Sequence, residues 1–179
     1  MRLFISVSFD DDVKDSLYKH MCLLTKECDE GVFTKRENIH LTLVFIGETN
    51  QIGSIVETMD ALDFEEFRIA LSDDGNFKRS GGDIYWLGIE KSPELVRLQK
   101  ILYRSLVRSG VISEKNDFRP HLTVSRETVV GRDAVPDALY TGTIPVRRIS
   151  LVKTEDVRGE GPVYTEVYAK DLRPAKDLF

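Results

Sequence analysis

A chain of 179 residues, 41% hydrophobic and 31% charged, has the length and composition of one globular domain with a real interior. Its 25 Lys and Arg against 30 Asp and Glu, a net charge of −5, exclude a protein that coats nucleic acid through a broad basic face. They leave room for a local cluster of donors that grips one terminal phosphate. No apolar run reaches the length of a membrane span, and residues 2–7 enter an alternating strand with no signal-peptide features, so the expectation is a cytoplasmic monomer without a membrane partner.

The alternation of residues 2–8 predicts a first strand with Leu3, Ile5 and Val7 on one face. Asp10 and Asp11 then offer N-caps to a helix over roughly residues 11–28, carrying Val13, Leu17, Met21 and Leu24 at helical spacing. Cys22 and Cys28 both fall in that helix, six apart and pointing in different directions. With no CxxC, two free thiols suit a reducing compartment. A strand follows from about Ile39 to Ile46, stopping at Gly47. Asn50 can cap a helix bearing Ile52, Ile55, Val56, Met59 and Leu62, and Phe67–Leu71 reads as a strand.

Residues 72–82 form the most loop-like stretch of the middle of the chain. Beyond it Ile84–Ile89 is a strand, and Ser92-Pro93-Glu94 opens a helix that Gly110 closes. Another strand begins at about Arg119. An Arg-rich strand over Val146–Lys153 and a last strand over Val163–Ala169 make a hairpin joined through Gly159-Glu160-Gly161-Pro162. The tail from Asp171 to Phe179 has little pattern.

Two of these strands carry the same short motif. Asn38-Ile39-His40-Leu41-Thr42-Leu43 and Arg119-Pro120-His121-Leu122-Thr123-Val124 each read His-Leu-Thr-aliphatic, with the histidines 81 residues apart. On a strand, His and Thr two apart share a face, and the flanking aliphatics share the other. Ile5 precedes His40 by 35 residues and Trp86 precedes His121 by 35. Strand, helix and motif strand therefore occur twice at the same length, as expected of a duplicated unit whose two copies face one cleft.

Histidine exchanges a proton near neutrality. A pair with one ring neutral and the other charged suits displacement at phosphorus, the base relieving the attacking oxygen of a proton and the acid supplying one to the departing oxygen. Thr42 and Thr123 can donate to the non-bridging oxygens, while Arg126 and Arg119 can add fixed positive charge. The scheme needs no cofactor and no metal. His40 and His121 could supply two zinc ligands, but no closely spaced Cys, His or acid completes a set. His20, on a helix near Met21 and Leu24, reads as structural. No nucleophile elbow or phosphate-binding glycine loop is present.

At these residues the sequence resembles the 2H phosphoesterase superfamily, defined by two His-x-Ser/Thr-x motifs, and within it the RNA 2′,3′-cyclic phosphodiesterase family, also called 2′-5′ RNA ligases. The likeness extends over Arg2-Leu3-Phe4-Ile5, Phe45-Ile46-Gly47, Gly75-x-Phe77, Trp86-Leu87-Gly88, Phe118 to Arg126 and Gly161-Pro162-x-Tyr164-Thr165. It implies an α+β fold spanning residues 1–179 as one domain of two lobes. Two antiparallel sheets flanked by helices would be related by a pseudo-two-fold axis about a central cleft. It implies metal-independent hydrolysis of an RNA terminal 2′,3′-cyclic phosphate to a 2′-phosphate, reversible as 2′-5′ ligation. RNA 3′ ends or nucleoside cyclic phosphates would be the substrates.

By the same resemblance His40 is the proton donor, His121 activates water, and Thr42 and Thr123 hold the phosphate; the residues alone do not decide which histidine is which. The alternatives are another 2H activity, on 2′,5′-linked oligonucleotides or small cyclic phosphates, and a nucleotide-binding module without turnover. The segment Val32–Arg36 departs from the family pattern in lacking a tryptophan, which bears on base recognition and not on the phosphate chemistry.

Overall fold

The computed structural model describes residues 1–25, 28–113, 117–130, 142–157 and 161–175. In chain order it runs β1 (Arg2–Ser8), α1 (Asp11–Leu24), β2 (Cys28–Phe33), a 3-10 turn (Arg36–Asn38), β3 (Leu41–Glu48), α2 (Ile52–Asp60), β4 (Phe67–Phe77) and β5 (Asp83–Ile89). It continues with α3 (Pro93–Arg108), β6 (His121–Val130), β7 (Thr143–Val146), β8 (Arg148–Val157) and β9 (Gly161–Asp171). Two antiparallel sheets result, in the orders β3-β1-β8-β9 and β2-β6-β5-β4-β7. None of the described helices is long and apolar enough to cross a membrane.

Each sheet is built around a central strand flanked by its motif strand. β1 lies between β3 and β8, and β5 lies between β6 and β4. Leu3 to Val7 are all buried, as expected of a strand covered on both faces. The duplication extends to the register. Ser6 pairs with Thr42 and Ile5 with Val44, so Leu43 is passed over; Trp86 pairs with Thr123 and Tyr85 with Ser125, so Val124 is passed over. Both motif strands thus carry a β-bulge one residue after the threonine. Below the sheets, Leu17 and Met21 of α1, Ile55 and Met59 of α2, and Leu98, Leu102 and Leu106 of α3 join Leu41, Leu122 and Ile149 in one contiguous core.

Several sequence expectations need correction. The first helix ends at Leu24, where the Thr25 hydroxyl donates back to the Cys22 carbonyl. Cys28 instead starts β2, which is captured by the free edge of β6; long-range pairing overrides the local helical pattern. Asp10 occupies the N-cap of α1, but its carboxylate accepts from Arg147 at 2.9 Å and caps nothing. The N-cap of α2 is Gln51, not Asn50. The Arg-rich segment divides into β7 and β8. Part of the turn assigned to the β8–β9 hairpin, residues 158–160, lies outside the described residues, as do 176–179 of the tail. The rest of the tail is tied down, with Arg173 bonded through its backbone to Phe64 and Glu66 and Leu172 buried.

The largest correction concerns residues 72–82. The chain stays extended to Phe77, because Phe67–Ala70 pair with β7 while Asp74–Phe77 pair with β5. Asp74 accepts a bond from the Tyr85 hydroxyl at 2.7 Å. Gly75 is a strand residue because the Trp86 indole lies flat against it: a Cβ there would stand 2.5 Å from the ring. Gly75→Ala is therefore expected to destabilise the fold by about 1–3 kcal/mol through overpacking, measured as a lowered urea midpoint. The remaining connection, residues 78–82, closes on Gly82 at φ +104, where a Cβ would stand 2.5 Å from Glu127 Cα. Helix α3 follows its sequence signals, with the Ser92 hydroxyl accepting from the Leu95 N–H, Pro93 in the first turn and Gly110 left-handed at φ +71.

Candidate active site

Each histidine is fixed in the same way. His40 Nδ1 stands 2.7 Å from the Asn38 carbonyl and His121 Nδ1 stands 2.6 Å from the Arg119 carbonyl, in both cases two residues upstream. A carbonyl only accepts, so Nδ1 carries the hydrogen and donates it. Nε2 is then the atom left to take or give a proton, on both rings. Asn38 adds a second tie, its side-chain amide donating to the Pro162 carbonyl at 3.1 Å and anchoring the start of β9 beside His40.

Aromatic rings hold both imidazoles. Around His40 they are Phe4, at 4.9 Å between centroids, and Tyr164, edge-on at 5.1 Å. Around His121 they are Phe77, edge-on at 5.2 Å, and Trp86 at 6.4 Å. In each half one ring comes from the central strand, β1 or β5, and the other from a strand further along the sheet. The motifs alone do not reveal these four residues. All four do fall in the segments that carry the family likeness, and Phe4 and Trp86 lie on the two strands that stand 35 or so residues before the histidines.

These surroundings make protonation costly. Burial pushes His40 down to about 4, against the opposing pull of the Asn38 carbonyl, and the charges of Arg126, His121 and Lys14 push it further. Burial also lowers His121, with the Arg119 carbonyl opposing and Arg126 adding to the shift. One guanidinium is thus felt by both rings. The unfolded chain, with histidine near 6.5, binds more protons than the folded one between pH 6.5 and His40's value of about 4. Stability should fall as pH drops through that window, by up to about 3 kcal/mol from His40. Urea melts at pH 7 and pH 4.5 are expected to show a smaller difference for His40→Gln than for the wild type.

A cleft of about 600 Å³ carries His40, Thr42, Arg126 and Tyr164 on its walls, and a smaller adjoining cavity carries Thr123 beside the same His40 and Arg126. His121 lines neither cavity, and its link to the group is Thr123 on its own strand and the shared influence of Arg126. No hydrogen-bond partner among the described residues engages the Thr42 or Thr123 hydroxyl or the Arg126 guanidinium, leaving three donors for an anion. Arg119 serves differently than expected: its carbonyl orients His121 while its guanidinium pairs with Asp117 at 3.2 Å and lies 6.0 Å over Phe77. His20 is buried away from the cleft. Among the described residues no group of three or more His, Cys, Asp or Glu gathers as a metal site.

Arg126 reaches the cleft because of the bulge. By strict alternation it would share the core face with Leu122 and Val124. The extra residue puts Val124 and Ser125 both inside, at 1% and 0% exposure, and turns Arg126 out beside Thr123.

Residues 22–158 match the sequence profile of the 2′-5′ RNA ligase superfamily. The chain belongs to this superfamily. Among relatives within it, the RNA 2′,3′-cyclic phosphodiesterase of Archaeoglobus fulgidus is 33% identical over 185 residues, covering 97% of this chain and 98% of the relative. That of Methanothermobacter thermautotrophicus is 28% identical, covering 93% and 96%. The fold matches that of Escherichia coli LigT, with a TM-score of 0.80 at 22% identity over 96% of this chain and 97% of that one. A crystal structure of a Thermus thermophilus protein gives 0.79 at 24% identity over 97% and 99%. The superfamily's α+β fold of two antiparallel sheets is the fold described above.

Proposed function

We propose that the protein hydrolyses the 2′,3′-cyclic phosphate at an RNA 3′ end to a 2′-phosphate, using paired histidines. The observation that carries the reading is the repeated fixing of Nδ1 by a backbone carbonyl, which leaves Nε2 of both rings to exchange a proton, in a site where no described residue engages the Thr42, Thr123 or Arg126 donors. In this scheme His121 Nε2 takes a proton from the attacking water as its oxygen bonds to phosphorus. The bond from phosphorus to the 3′ oxygen breaks, and His40 Nε2–H protonates that oxygen. Thr42, Thr123 and Arg126 hold the non-bridging oxygens, where negative charge concentrates. With a 5′-hydroxyl in place of water, the same groups acting in the same sense join a 2′-5′ bond as the 3′ oxygen departs, and the reverse steps cleave that bond. The reading carries with it one two-lobed domain acting as a cytoplasmic monomer, which size-exclusion chromatography tests.

The direct test is incubation with adenosine 2′,3′-cyclic phosphate in the presence of a chelator, with product identified by phosphorus NMR. The 2′-phosphate is the expected product. A 3′-phosphate would reverse the assignment of the leaving oxygen, and loss of turnover in chelator would overturn the metal-independent scheme.

A further inference from the structure

The backbone directly after Arg126 is left-handed where a side chain is present. Glu127 sits at φ +53, and no other described residue except glycine has a positive φ. An L side chain is disfavoured there, and strain of this kind persists only where the surroundings impose it. The other half of the molecule shows that the fold does not require it. There β3 has a second irregularity at the corresponding place, where Leu3 pairs with Gly47 and Phe4 with Phe45. A glycine, Gly47 at φ +87, takes the left-handed position. Among the described residues, only beside Arg126 does the chain put a larger residue in that region.

The surroundings that impose it can be named. β6 carries an extra residue here against both of its neighbours: Ser125 and Thr128 pair with Tyr85 and Asp83 of β5, and Arg126 and Val129 with Val32 and Glu30 of β2. Ser125 and Thr128 are buried, while Arg126 and Glu127 between them both line the cleft. The Thr128 hydroxyl closes the loop so formed, donating to Ser125 Oγ at 2.5 Å and standing 3.2 Å from the Arg126 carbonyl. Gly31 of β2 leaves room for that hydroxyl, which a Cβ would meet at 2.5 Å. Gly82 closes on Glu127 itself, where a Cβ would stand 2.5 Å from Glu127 Cα. The turn that carries Arg126 is thus tied by a buried hydroxyl and pressed by the 78–82 connection.

Building on the proposed function, we infer that Thr128 and the left-handed turn at Glu127 form a clasp that positions Arg126, so that its guanidinium stands in the cleft before the phosphate arrives. Thr128 is a positioning residue and touches no substrate. A donor held in place in advance needs no reorganisation as charge develops on the phosphate oxygens. Through Gly82, the clasp also links the site to the connection between β4 and β5.

The test removes the hydroxyl and follows Arg126. Thr128→Val keeps the side-chain shape and loses the bridge. Arg126 depresses both histidines, so a displaced guanidinium lets both rings keep their protons to higher pH. Imidazole NMR titration of the free protein should show His40 and His121 both moving up in Thr128→Val, toward their positions in Arg126→Ala, with Thr128→Ser restoring them. kcat for adenosine 2′,3′-cyclic phosphate should fall about 10- to 100-fold in Thr128→Val, as for a group displaced by an ångström or so. That loss should vanish in the Arg126→Ala background, because both substitutions remove one interaction. Gly82→Ala drives a Cβ into the turn from the other contact and should give the same two results, so it carries the test if Thr128→Val does not fold. Unmoved histidines in folded variants, or an equal loss of kcat with and without Arg126, would overturn the clasp. A wild type that does not hydrolyse the cyclic phosphate would sink the proposed function instead, and the histidine titrations would still decide the clasp.

Discussion

His121→Ala is expected to lower kcat for adenosine 2′,3′-cyclic phosphate by about 10²- to 10⁴-fold, the span for losing a positioned general base or acid. His40→Ala should fall by a similar factor, and the double variant should lose far less than the product of the two, because in the proposed scheme the rings act in one concerted transfer. The two single variants separate on a phosphodiester with a good leaving group, such as a nitrophenyl ester. That leaving oxygen needs little protonation, so His40→Ala should recover most of its rate while His121→Ala does not. Recovery by His121→Ala alone would exchange the roles, and full activity in both would remove the histidine pair from the mechanism.

The second large effect concerns pH and Arg126. His40 sits at about 4 and His121 lies below its usual value, so at pH 7 both rings of the free enzyme are neutral. In the proposed scheme the productive form carries one proton shared by the pair, and its population peaks between the two apparent pKa values. The kcat/KM profile should therefore be bell-shaped with its maximum below pH 6.5. Bound phosphate brings negative charge to both rings and raises their affinity for the proton, so the kcat profile should lie at higher pH than that of kcat/KM. Arg126 depresses both histidines. Arg126→Ala should therefore move the kcat/KM bell toward alkaline pH while lowering kcat by about 10²-fold, as for loss of one transition-state donor. Arg126→Lys should keep the bell in place but recover only part of the rate, because an ammonium cannot offer two parallel bonds to one phosphate. An unmoved bell in Arg126→Ala would show that this guanidinium does not reach the rings in solution.

The paired-motif geometry of the candidate site was legible because its parts are local. His40 with Thr42, and His121 with Thr123, are dipeptide-scale patterns that strand geometry converts into shared faces, and equal spacing exposes their repetition. Arg126 was half legible: its proximity to the motif was visible, but alternation alone turns it inward, and only the bulge opposite Tyr85 and Trp86 turns it out. The aromatic cages were not legible as cages. Phe4 and Tyr164 lie at opposite ends of the chain and Phe77 and Trp86 on successive strands, so each pair meets only when its sheet forms.

The errors share a cause. Residues 72–77 look like a loop by composition, yet β5 pairs with Asp74–Phe77 while β7 holds the same strand at Phe67–Ala70, and the glycine that suggested a turn makes room for an indole. Cys28 follows a helical pattern yet joins β6. In both places a neighbouring strand supplied what local propensity did not.

Trp86 has one consequence for experiment. It is the sole tryptophan of the chain, and its ring centre is 6.4 Å from that of His121. An imidazolium at that range quenches indole emission, whereas a neutral imidazole quenches it far less. The protein therefore carries its own optical gauge of the proton on His121. Its intrinsic fluorescence should dim as that ring becomes charged, in the free enzyme and again when an anion in the cleft draws the proton in.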